Sequence, residues 1–101
     1  MQISEKIDGN TARLSLEGRF DFHSHRDFRA SYDALLGRAD IRDILIDFAR
    51  VDYLDSSALG MLLLLREKAE AGGKKVRLTK LTGSVKQVLE IANFGKLFAI
   101  E

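Results

Sequence analysis

Cysteine and proline are both absent from this 101-residue chain. Without cysteine there is no disulfide, no thiolate nucleophile and no Cys-ligated zinc or iron–sulfur centre, and the composition suits a reducing compartment. Without proline there are no cis X-Pro turns and no Pro-rich linkers, although average usage would place about five prolines in this length. An excess of one charge is missing as well. Sixteen Lys+Arg face fifteen Asp+Glu, a net charge of +1, so no global field draws the chain to nucleic acid or to an acidic membrane surface. Long apolar runs are lacking too: the longest, Ala58 to Leu65, spans 8 residues, where a membrane helix needs about 18 or more. The start, Met1-Gln2-Ile3-Ser4-Glu5-Lys6, has no basic segment followed by an apolar stretch of about 7–15 residues, so no signal peptide is expected. These absences predict a soluble cytoplasmic protein that neither inserts into a membrane nor binds nucleic acid.

What is present fits one domain over residues 1–101. A mass of 11.3 kDa scales to roughly 5,700 Å² of folded surface against about 16,400 Å² unfolded, enough burial for a real core. Glu5 to Ile7, the turn Asp8-Gly9-Asn10 and the alternation of Ala12, Leu14 and Leu16 with polar residues predict a hairpin with one buried face. Ser24 with Asp27, then Phe28, Tyr32, Leu35 and Leu36 ahead of Gly37, predict a capped amphipathic helix. Ile44-Leu45-Ile46-Asp47-Phe48 has the near-continuous apolar character of a central strand buried on both faces. A helix from about Ser57 to Ala71 ends at Gly72-Gly73, and Val76 and Leu78 mark another strand. Ser84 with Gln87 repeats the capping pattern ahead of Val85, Val88 and Leu89, and Leu97 to Ile100 closes the chain as a strand. The expected fold class is α/β, with a mixed β-sheet, the order ββαβαβαβ, and right-handed crossovers between the later parallel strands.

Chemistry is sought first at Asp52-Tyr53-Leu54-Asp55-Ser56-Ser57-Ala58-Leu59-Gly60, because open α/β sheets place their sites where strands end and helices begin. A helix start offers unpaired N–H groups and partial positive charge, favourable to an oxygen-rich group at Ser56 or Ser57. Helix capping by these serines explains the same residues without any function. The next helix is apolar on nearly every side through Leu59 and Met61 to Leu65, which requires either a second covering helix or a protein-binding patch beside the serines. Other constellations are weaker. Asp21, His23, His25 and Asp27 alternate like metal ligands but occupy a corner that does not by itself converge, so no metal or other cofactor is expected. Ser56 with a histidine and Asp21 lacks a Gly-x-Ser-x-Gly elbow, so no enzyme is expected. Gly72-Gly73-Lys74-Lys75 lacks the P-loop spacing and is read as a helix end with exposed lysines.

Leu54-Asp55-Ser56-Ser57-Ala58-Leu59-Gly60 after Ile44 to Phe48, together with Gly18-Arg19-Phe20-Asp21 and Phe94-Gly95-Lys96-Leu97-Phe98, resembles STAS-domain anti-sigma factor antagonists over nearly the whole chain. Ala58 stands where a glycine is commoner in that family, and Phe22-His23-Ser24-His25 lacks the proline often found there. The resemblance implies a cytoplasmic, non-enzymatic binding module of bacteria, monomeric when free. Unmodified, it would sequester an anti-sigma factor and so release a sigma factor. Phosphorylation of Ser56 by an anti-sigma factor with serine kinase activity, or by a separate kinase, would end the contact, and a serine phosphatase would restore it. Asp21, Asp55, Ser56, Ser57 and Leu59 would form the partner surface. The alternative within the same fold is an accessory STAS subunit docking on a lipid-transporter ATPase, or on a biofilm or motility regulator, without sigma control.

Overall fold

The structure, a computed structural model, describes all residues from Met1 to Glu101. Strands β1 (Gln2–Asp8) and β2 (Thr11–Phe20) form the expected antiparallel hairpin. Its tight turn uses Gly9 at φ +62°, a conformation that glycine adopts without a Cβ penalty. A 3-10 turn (Phe22–Ser24) leads into helix α1 (His25–Leu36), followed by β3 (Asp43–Leu54), α2 (Ser56–Ala71), β4 (Lys75–Thr79), α3 (Gly83–Ile91), a second 3-10 turn (Phe94–Lys96) and β5 (Ala99–Ile100). The sheet order is β1-β2-β3-β4-β5, with β3 central and the last three pairings parallel. The mixed α/β class and the order ββαβαβαβ are therefore as expected, and the exposed surface of 5821 Å² matches the size scaling.

The layers follow from the pattern. Ala12, Leu14 and Leu16 of β2, Ile44, Ile46 and Phe48 of β3 and Leu78 of β4 point to one face, where they join residues of all three helices in a single core of 24 side chains. Leu45 lies outside that core. It and Asp47, each 7% exposed, occupy the other sheet face, flanked by Arg13 and Arg77 beside Leu45 and by Arg13 and Lys80 beside Asp47. The central strand is thus buried on both faces, but its second cover consists of long charged side chains rather than helices.

Three local expectations change. Ser24 sits at the start of α1 with a helical backbone and caps nothing there; its hydroxyl donates to the Arg19 carbonyl at 2.9 Å. The capping box is instead Asp21 with Ser24, and it closes the 3-10 turn. Ser84 is not a cap either, since α3 begins at Gly83 behind Thr82. The last strand is only Ala99–Ile100, because Leu97 and Phe98 turn back to bond the Phe94 carbonyl at 3.0 and 2.8 Å, which carries Phe98 into the core.

Candidate functional site

Because β2 and β3 run parallel with Phe20 beside Leu54, the segments that follow them leave the sheet at the same end. The Asp55 N–H donates to the Phe20 carbonyl at 3.4 Å, which ties the two exits together. After β2, Asp21 accepts the His23 N–H at 2.9 Å, and its own N–H donates to Ser24 Oγ at 3.3 Å. After β3, Asp55 adopts an extended backbone and accepts the Ala58 N–H at 3.0 Å. Each exit is therefore closed by an aspartate, one of the residue types that best satisfy free N–H groups at a helix start.

This assigns the serines differently from the capping alternative. Asp55 is the cap, so Ser56 is the first residue of α2 and Ser57 the second. Ser56 is exposed and Ser57 half-buried. Next on the helix, Leu59 is half-buried against the core, while Leu63 and Leu64 are each 39% exposed. The all-round apolar character of α2 thus resolves into a core stripe of Ala58, Met61, Leu62, Leu65 and Ala69, packing beside α1, and an uncovered flank. Asp21, Asp55, Ser56, Ser57 and Leu59 all lie on or next to these two exits.

The local charge differs from that of the whole molecule. Asp21 and Asp55 close the two exits, and Arg19 lies beside Asp21, its Nε 3.5 Å from Asp21 Oδ2 and its guanidinium 4.0 Å above the Tyr53 ring. Sequence reasoning missed this arginine–tyrosine pair. Arg19 comes opposite Tyr53 through an irregularity in the parallel register between Gly18 and Arg19, which residue spacing does not reveal. It also missed Lys74, expected as an exposed lysine of a helix-ending turn. Lys74 is buried, and its ammonium donates to the carbonyls of Arg38 at 2.7 Å and Ile41 at 2.6 Å. Both carbonyls lie just past the C-terminal end of α1, where a cation is favoured.

His23 on the turn and His25 at the start of α1 stand exposed beside Phe22, and no group of three His, Asp or Glu side chains converges to hold a metal ion. The three main grooves lie elsewhere. The largest, about 630 Å³, is lined on the open sheet face by Ser4, Ser15, Asp47, Arg50 and Lys80 among others, and none of the three is lined by Asp21, Asp55 or Ser56. The residues around Ser56 form a surface, which suits a macromolecular contact better than an enclosed small ligand. No helix is long and apolar enough to cross a membrane.

A family model described as "Mlab, STAS domain" matches residues 3–99. A STAS-domain containing protein of Pseudomonas aeruginosa is 41% identical over 93 residues, which are 92% of this chain and 90% of that protein. Among solved structures, the anti-sigma factor antagonist SpoIIAA in its unphosphorylated form superposes with a TM-score of 0.83 at 21% identity, over 99% of this chain and 88% of its own. The phosphorylated form of the Bacillus cell fate determinant SpoIIAA gives 0.76 at 20% identity, over 99% and 91%. At these identities the two structures speak for the fold.

Proposed function

This chain belongs to the STAS domain family, and on that premise we propose that it is an anti-sigma factor antagonist switched by phosphorylation of Ser56. The observation that carries the reading is an exposed serine at the first position of α2, directly after the aspartate that caps it, on a rim that Asp21 reaches from the neighbouring strand. A structure of the same fold is described as an anti-sigma factor antagonist, and another as a phosphorylated form, which supports carrying both properties over. The unmodified protein holds an anti-sigma factor and thereby frees a sigma factor; a serine kinase, the anti-sigma factor itself or a separate enzyme, places the phosphate and a serine phosphatase removes it.

The energetics favour a switch that acts on the complex rather than on the fold. A phosphate adds about −1.5 to −2 charges. In the free protein it would sit at a helix N-terminus, where an anion is favoured by about 0.3–1 kcal/mol. That offsets repulsion from Asp21 and Asp55, so the fold tolerates the modification. In a complex the same charge must be desolvated between two surfaces, and leaving it unpaired costs several kcal/mol. Since about 1.4 kcal/mol is a tenfold change in affinity, a hundredfold or greater weakening follows.

Affinity capture with wild type, Ser56→Ala and Ser56→Asp, with phosphosite mapping of the recovered protein, tests the reading. Wild type and Ser56→Ala should retain an anti-sigma factor that Ser56→Asp loses, with phosphate mapped to Ser56 alone. Equal capture by all three, or co-purification of a transporter ATPase in place of an anti-sigma factor, would overturn it in favour of an accessory subunit.

A further inference from the structure

Phe22 is 68% exposed, more than any other aromatic side chain of the molecule. A single exposed apolar residue is ordinary and needs no function. Three features set this one apart. The ring sits on a turn closed by a complete capping box, with the His23 N–H on Asp21 and the Asp21 N–H on Ser24. Ser24, 2% exposed, anchors that turn to the carbonyl of Arg19. The ring itself is held in orientation: it lies parallel to the His25 imidazole, with 6.4 Å between centroids and 6° between planes, and meets His23 edge-on at 6.1 Å.

The turn therefore presents an aromatic ring to solvent on a backbone with little freedom left to lose. That is the arrangement an interface anchor requires, because ordering cost is what usually erodes the gain from burying a side chain on binding. Its position supplies the occupant. Phe22 follows Asp21 directly, at the sheet end where Asp55 and Ser56 emerge, held there by the Asp55 N–H on the Phe20 carbonyl. We infer that Phe22 is the apolar anchor by which the partner docking beside Ser56 is held, seated in an apolar socket of that protein. The inference rests on the functional reading above and adds to it a residue and the chemistry of the opposing surface.

The test uses the protein whose capture is lost with Ser56→Asp, purified and titrated calorimetrically with wild type, Phe22→Ala and Phe22→Trp. Phe22→Ala should weaken binding about ten- to a hundredfold, as truncated aromatic hot spots do, and Phe22→Trp should stay closer to wild type. The Tm of Phe22→Ala should be unchanged, because the ring is mostly in water already. Binding by Phe22→Ala within about twofold of wild type would overturn the inference while leaving the Ser56 reading intact. Weakening accompanied by a drop in Tm of more than about 5 °C would assign the ring to the fold and overturn it as well. If no captured protein depends on Ser56, the functional reading fails and the inference fails with it.

Discussion

The two ends of the parallel strands use charge in opposite ways. At the end where β3 and β4 begin, charges are matched inside the chain. Lys74 is spent on two carbonyls, Arg38 pairs with Asp40 at 2.7 Å, and Arg77 holds Asp43 at 2.9 Å and also Glu101. At the end where β2 and β3 finish, Asp21 pairs with Arg19, Asp55 caps α2, and an exposed serine and an exposed phenylalanine stand beside them. Groups satisfied within the chain contribute to stability, while groups left facing water are available to a partner. The candidate site lies at the carboxyl end of the strands, where open α/β sheets commonly place ligands.

Substitutions at the two ends should therefore separate affinity from stability. Ser56→Asp should cost about a hundredfold or more in partner affinity while leaving the urea midpoint nearly unchanged. Lys74→Met should do the reverse. It strips a charged donor from the buried Ile41 carbonyl and the part-buried Arg38 carbonyl and should lower unfolding free energy by about 2–3 kcal/mol in urea titrations, with affinity retained. An affinity loss in Lys74→Met at full folding would break the division.

Asp55 lies on the boundary, because it both caps α2 and contributes charge to the rim. Asp55→Ala should lose about 1 kcal/mol of stability, whereas Asp55→Asn keeps the cap and should lose only a few tenths. If Asp55→Asn nonetheless weakens the partner, the carboxylate charge is read directly. Smallest is the acid dependence at the opposite end. The hydrogen bond from Arg38, reinforced by its charge, holds the Asp40 carboxyl below its ordinary value. A depressed carboxyl contributes stability that is present above the unfolded value, about 3.9, and disappears as pH falls through the folded one. Asp40→Asn should thus be slightly less stable than wild type at pH 7, and the gap should close below about pH 4. A gap that persists in acid would mean that packing, not charge, links Arg38 and Asp40.

Element types and order were legible because they rest on periodicity and strong punctuation: the alternation of β2, the apolar run of β3 and the glycines closing α2. Caps were not. Ser24, Ser56 and Ser84 all carry plausible capping chemistry, yet the bonds were made by Asp21 and Asp55, and at α3 by no side chain. Which oxygen reaches a free N–H depends on backbone angles that residue spacing does not encode. Leu97 and Phe98 read as strand because apolar and β-prone, but Phe98 is buried through a turn. Lys74 shows the same limit from the other side, since only the folded position of the end of α1 makes its burial favourable. The candidate site was marked by Asp55-Ser56-Ser57 at a strand-to-helix junction. Phe22 carried no such mark, because what singles it out is its exposure on a turn closed by a capping box, which residue spacing does not encode.

The central claim is tested most directly by calorimetric titration of the captured anti-sigma factor with two preparations of this protein, one unmodified and one fully phosphorylated at Ser56, both checked by circular dichroism. The account predicts superimposable spectra and an affinity at least about a hundredfold weaker for the phosphorylated form. Equal affinities, or a weakening that appears only with loss of helix, would contradict it.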